Sequence, residues 1–173
     1  MNTIIRPTWD EIFFSSVYRW AAKSKDPRTK IGAVLVDWEH KDPFSHGYNG
    51  FPRGVIDSEA RYNDRNEKYF YVCHAEANAI FNCARAGRKC KDSVLYTNGV
   101  PCSDCTKAVI QAGIKEVVVH KQWQEYEQKF NWGKWNLSTI RSTNMLNEAG
   151  IPVRIFDGEI NELAMLDGKV IKL

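Results

Sequence analysis

Cys73-His74-Ala75-Glu76-Ala77-Asn78 and, further on, Val100-Pro101-Cys102-Ser103-Asp104-Cys105 decide how this chain is read. Together they spell H-A-E followed by P-C-S-D-C. One imidazole and two thiolates supply three corners of a zinc tetrahedron, and a fourth corner left to water marks a catalytic site rather than a structural one. Zinc brings the pKa of a bound water toward neutrality. The nucleophile that results needs a proton shuttle beside it, and Glu76 lies two residues after His74. His74, Cys102 and Cys105 are therefore read as ligands of one Zn2+ and Glu76 as the general acid–base. Two blander readings stay open. One is a closed structural zinc site with Cys73, Cys83 or Cys90 as fourth ligand, which leaves Glu76 unexplained. The other is no metal at all, with the cysteines packed as small apolar groups.

The flanking pattern places both runs on helix N-termini. Ala77, Ile80, Phe81 and Ala84 share one face of a helix expected over His74 to Ala86, and Gly87 suits its C-terminal cap. Ser93 to Thr97 reads as a strand and Asn98-Gly99 as a turn. Pro101 suits the entrance of a second helix, whose face is Cys105, Ala108, Val109 and Ala112 and whose end is Gly113. Unpaired N–H groups and the positive end of the helix dipole favour thiolate and hydroxide at such places.

Upstream, Thr8-Trp9-Asp10-Glu11 reads as a capping box, followed by apolar residues at helical spacing to about Ser24. Ile31 to Val36 is a buried strand. Phe44 to Tyr48 is its hairpin partner, with Asp42-Pro43 in the turn. Gly47 to Gly54 packs three glycines and a proline into eight residues, and reads either as a loop that a ligand can approach closely or as a plain turn. Residues 55–71 read as an insertion or lid, partly helical, with solvated charges. Downstream, Glu116 to His120 is a strand, and His120 reads as a structural histidine. Trp123, Tyr126, Phe130, Trp132 and Trp135 stud a polar segment suited either to stacking on a base or to covering a core edge or subunit interface. A helix over Asn136 to Ala149 leads to a strand at Val153 to Phe156. A helix between two strands implies a right-handed crossover, so these last two strands run parallel. The tail, 157–173, adds a short strand at Lys169 to Leu173. The expected fold is α/β: a three-layer α/β/α sandwich around a mixed five-stranded sheet.

Composition narrows the class. The 173 residues suggest one domain spanning 1–173, and 43% hydrophobic content supports a packed core. A net charge of +3 is too small to argue for a nucleic-acid surface. No run of 18 apolar residues suggests a membrane helix, and Met1 to Arg6 lacks the apolar core of a secretory signal. Five cysteines, an odd number, fit a reducing cytoplasm better than a disulfide framework.

H-x-E…P-C-x-x-C is a general signature of zinc nucleobase deaminases. With S-K-D-P-R-T-K-I-G-A-V, G-Y-N-G-F-P-R-G and Q-A-G-I-K-E-V in the same order, residues 7 to 155 resemble the deoxycytidylate (dCMP) deaminases of the cytidine deaminase superfamily. That resemblance implies a cytidine-deaminase-like fold and zinc-dependent conversion of dCMP to dUMP, feeding thymidylate synthesis. It implies Arg28, helped by Lys30, at the nucleotide phosphate and Asn49 at the sugar. The Ala75 N–H falls to the base and the Val100 carbonyl to the leaving amino group. It further implies a homo-oligomer, a hexamer in many members, activated by dCTP with Mg2+ near a regulatory loop of Gly47, Tyr48, Asn49 and Gly50. Val100 departs from the Ser, Thr or Phe usual before the motif proline but keeps its carbonyl. The aromatic segment from Trp123 to Trp135 also fits the family poorly. Competing readings are a preference for dCTP or a 5-substituted dCMP, a nucleic-acid cytosine or adenosine deaminase, and a non-catalytic nucleotide sensor.

Overall fold

The alternation of β-branched residues in I-G-A-V-L-V shapes the centre of the molecule. In the computed structural model, which describes residues 6–131 and 136–173, strand β1 (Gly32–Asp37) is buried on both faces. Ala33 and Leu35 face one core, and Val34 and Val36 face the other. β2 (Asp42–Tyr48) and β3 (Val94–Thr97) flank it antiparallel, and β4 (Glu116–His120) and β5 (Val153–Phe156) continue parallel to β3. The sheet order is β2-β1-β3-β4-β5, a mixed five-stranded sheet whose last two strands run parallel as expected. The hairpin turn lies elsewhere than expected. Asp42 and Pro43 begin β2, and the chain turns at 38–41, where Lys41 takes a φ of 55°. β2 is an edge strand, where a residue without an N–H is tolerated, and a register shift between Leu35 and Val36 accommodates Pro43.

Helices cover both faces. On one side lies α1 (Trp9–Ala21), closed by the Thr8–Glu11 capping box. Its Phe13, Phe14, Val17 and Tyr18 are almost fully buried against Val34, Tyr96 and Val118. Burying side chains of this size contributes about 1.5–3 kcal/mol each. On the other side pack α4 (Ala75–Arg85), α5 (Ser103–Gln111) and α7 (Asn136–Glu148), through Ala79, Val109 and Leu146. Gly87, Gly113 and Gly150 follow these helices with φ near +70°, the left-handed turn that favours glycine.

The segment 55–71 folds as two short helices, α2 (Glu59–Asn63) and α3 (Arg65–Tyr71). Most of its charges are solvated, but Lys68 is buried against Asp26. The polar stretch after β4 is a helix, α6 (Lys121–Asn131), which packs Trp123 into the α1 side of the core. Trp132 and Trp135 lie outside the described residues. The tail forms a hairpin, β6 (Leu163–Leu166) and β7 (Lys169–Lys172), one strand more than the sequence suggested. It docks on the loop before β1: Lys30 N–H donates to the Met165 carbonyl, Gly168 N–H to the Arg28 carbonyl and Asp167 N–H to Thr29 Oγ1. No helix among the described residues is long and apolar enough to cross a membrane.

Candidate active site

Topology gathers the site at the carboxyl ends of β3 and β4, the usual place for ligands in open α/β sheets. Asn98, just past β3, accepts the Gly32 N–H on its Oδ1 at 2.8 Å, and its carbonyl accepts the His120 N–H. This ties the entrance of β1 to the exits of β3 and β4. Gly47 lets α4 lie directly on β2, since a Cβ there would stand 2.2 Å from the Ala75 carbonyl oxygen.

His74 is the N-cap of α4 and Cys102 the N-cap of α5; neither side chain caps its own helix. Both are instead turned toward each other. His74 Nδ1 stands 3.3 Å from Cys102 Sγ and 3.6 Å from Cys105 Sγ. Zn–N and Zn–S bonds of tetrahedral zinc place nitrogen and sulfur about 3.6 Å apart, so the triangle fits that ion. Among the described residues, these three alone form a cluster with metal-ligand geometry. Cys83 is committed elsewhere, donating to the Arg88 carbonyl with Cys90 beside it, so neither completes a closed site. The Cys105 thiol and the His74 ring pull the Cys102 thiol down to about 4, and the His74 ring rises to about 9 against that sulfur. A thiolate is thus available in the triangle, as ligation requires.

Glu76, two residues on, is almost fully buried, and that burial pushes its carboxyl above the usual range. A carboxyl poised this way suits proton transfer. His74, Ala75, Glu76 and Cys102 open onto a cleft of about 290 Å³, the scale of one nucleotide-sized ligand.

The other expected residues divide. Arg28, Asn49 and Val100 line the cleft; Lys30 does not, and its ammonium donates to the Ser24 carbonyl. Arg28 is largely exposed, with its guanidinium 3.7 Å from Asp167. Asn49 is held by the backbone: its Oδ1 accepts the Ile31 N–H and its Nδ2 donates to the Thr29 carbonyl. Gly47 and Tyr48 end β2, and Gly50 bridges to Cys73, so this run is ordered main chain rather than an open loop. His120 serves the core, bonded to the Tyr18 hydroxyl and the Gly158 carbonyl.

Part of the wall comes from segments that the sequence reads only as an insertion or lid and as an aromatic stretch open to base stacking, and Glu127, Leu166 and Asp167 were not singled out at all. Arg65 and Tyr69 come from the insertion, Leu166 and Asp167 from the tail hairpin, Trp123 and Glu127 from α6. The i, i+4 spacing of Trp123 and Glu127 immediately after a strand was the signal available for the last pair.

A family model described as the cytidine and deoxycytidylate deaminase zinc-binding region matches residues 7–121. The chain belongs to the cytidine and deoxycytidylate deaminase family. A deoxycytidylate deaminase from Pongo abelii is 41% identical over 115 residues, which are 64% of this chain and 63% of that protein. The chain thus spans less than two thirds of that relative's length. An uncharacterised deaminase in the luxG 3′ region of Aliivibrio fischeri is 33% identical over 84% of this chain and 91% of its own length. A crystal structure of dCMP deaminase from the cyanophage S-TIM5, in complex with dCMP and dUMP, matches with a TM-score of 0.63 at 23% identity, over 88% of this chain and 100% of that one. At that identity the likeness speaks for the fold.

Proposed function

We propose that this chain is a zinc-dependent deaminase that hydrolyses dCMP to dUMP and ammonia, supplying dUMP for thymidylate synthesis. The observation that carries the reading is the buried Glu76 carboxyl beside the His74–Cys102–Cys105 triangle on a nucleotide-sized cleft. The names of the curated relatives support dCMP as the substrate.

His74, Cys102 and Cys105 hold the zinc, which when bound supplies a water that ionises near neutral pH. Glu76 does the proton work. Water adds to C4 of the base as the Glu76 carboxyl delivers a proton to N3. The carboxylate takes one proton of the water and passes it to the 4-amino group; ammonia then departs as the remaining hydroxyl proton returns to Glu76 and C4 becomes a carbonyl. The Ala75 N–H, at the first turn of α4, holds the base O2. The Val100 carbonyl accepts from the departing amino group. Arg28 and Arg65 bring guanidinium groups to the cleft wall for the phosphate.

Glu76→Ala keeps its zinc and loses dCMP turnover by at least about 10²–10⁴-fold. Wild-type-like dUMP formation by that variant refutes the assignment. Ammonia release is compared for dCMP, deoxycytidine, dCTP and a single-stranded oligonucleotide, with dCMP expected to lead.

A further inference from the structure

We propose that Glu127 is a specificity-determining residue whose carboxylate accepts a hydrogen bond from the exocyclic amino group of the base, so that the site favours the amino-bearing substrate over the oxo-bearing product. The proposal rests on the deaminase reading above and names a group that reading leaves unused.

Placement comes first. α6 starts directly after β4, so its first turns stand at the same sheet end as the metal triangle. Trp123 is fully buried in the α1-side core, which fixes the rotation of the helix. Glu127, one turn later on the same face, is thereby aimed into the cleft, and both residues line it. Gly99 allows the approach. A Cβ at that position would stand 2.9 Å from Glu127 Oε2 and 3.0 Å from Trp123 Cδ1. The carboxylate therefore lies against bare backbone, one residue before Val100 and three before Cys102. Residue 121 is the last that the family model matches, so Glu127 belongs to a part of the wall beyond it.

Chemistry selects the partner. Glu127 has no hydrogen-bond or ion-pair partner among the described residues. Burial, and then the charge of Glu76, push its carboxyl up to about 7. An acceptor facing a ligand site in this condition calls for a donor from the ligand. Cytosine offers one kind of donor only, the 4-amino group; N3 and O2 are acceptors, and the remaining ring edge is C–H. N3 goes to Glu76, O2 to the Ala75 N–H and one amino hydrogen to the Val100 carbonyl, so the second amino hydrogen is what remains for Glu127, whose carboxylate lies one residue from Val100. The sugar 3′-hydroxyl belongs at the Asn49 side of the cleft. Glu127 transfers no proton in this scheme. After the reaction the same edge carries a carbonyl oxygen, which has no hydrogen to give and is repelled by the carboxylate. Substrate binding is strengthened and product binding weakened by one group.

The test measures the KM for dCMP and the inhibition constant of dUMP in the zinc-loaded full chain, for wild type, Glu127→Gln and Glu127→Asp. The amide of Glu127→Gln can donate to the product carbonyl, so the ratio of dUMP inhibition constant to dCMP KM falls at least about tenfold. Glu127→Asp keeps the charge, but its shorter reach weakens both the contact with the amino group and the repulsion of the product carbonyl, so KM rises and the ratio falls less than in Glu127→Gln. An unchanged ratio in Glu127→Gln, or an equal fall in both variants, overturns the proposal while leaving the deaminase reading in place. If Glu127→Gln does not fold, a lowered ratio with raised KM in Glu127→Asp supports the proposal and an unchanged ratio overturns it. Absence of dCMP turnover in the wild type sinks the deaminase reading itself, and this assignment with it.

Discussion

Lys68→Met tests how the insertion is fastened to the site. Lys68 sits on α3, and its ammonium meets Asp26 Oδ2 at 2.8 Å, with the two side chains only 10% and 3% exposed. Asp26 also accepts the N–H groups of Arg28 and Thr29 on Oδ1 and lies 3.4 Å from Asn49 Nδ2. One carboxylate thus shapes the 26–30 loop, orients Asn49 and anchors α3. Removing one partner of a buried pair leaves the other charge uncompensated, at about 3–5 kcal/mol. Here the three remaining donors on Asp26 put Lys68→Met at the lower end, about 3 kcal/mol. Asp26→Asn strands the ammonium and loses an acceptor, and should cost at least as much. Against a total stability of about 5–15 kcal/mol, both variants stay folded. A chain of this size loses about 2–4 °C in Tm per kcal/mol, so Lys68→Met melts about 6–12 °C lower.

Urea denaturation of both single variants and the double variant is the decisive assay. In the double variant neither charge is left alone, so its loss should fall short of the sum of the single losses by about 0.5–3 kcal/mol. A Lys68→Met cost below about 1 kcal/mol, or strict additivity, refutes the argument that this pair is a desolvated, coupled clamp.

Two further outcomes follow from other contacts. Gly47→Ala forces a Cβ to within 2.2 Å of the Ala75 oxygen and 2.4 Å of the Ala79 nitrogen; both are main chain, so α4 must shift, costing about 3 kcal/mol, and since α4 carries Glu76 and follows His74, zinc content after dialysis should drop with Tm. Burial alone would raise the Asp10 carboxyl, but hydrogen bonds from Arg154 and Tyr96 outweigh it and hold the group below 3.8. That contribution is complete above pH 3.8 and is lost as pH falls through the lowered folded value. Arg154→Met should therefore flatten the acid limb of stability against pH below about pH 4, and an unaltered slope in urea titrations at pH 2–4 refutes it.

What could be read from the sequence and what could not divides by the range of the physics involved. The Thr8–Glu11 capping box, the glycines after α4 and α5 and the burial of β1 are local signals, and each took its expected form. Asp42-Pro43 misled because turn propensity ignores whether a strand is at an edge, and β2 is one. α6 did not declare itself as a helix because the deeply buried ring of Trp123 stands among polar residues that face solvent or the cleft. Lys68 read as a solvated charge because its partner lies 42 residues away, at Asp26.

The candidate site divides the same way. Metal chemistry admits few residue types, and helix N-termini fix their spacing, so His74, Glu76, Cys102 and Cys105 stand out from the chain without any knowledge of the fold. The groups that meet the rest of the cleft come from α3, α6 and the tail hairpin, and no short spacing connects them. Their residue types are unrestricted as well, since an arginine, an aspartate or a tryptophan has many uses elsewhere. A reaction type is written in a few residues close together, whereas a choice of substrate is made where distant segments close around the cleft. Variants at Arg65, Glu127 and Asp167 should accordingly shift preference among ligands while leaving zinc bound, and variants at His74, Cys102 or Cys105 should do the reverse.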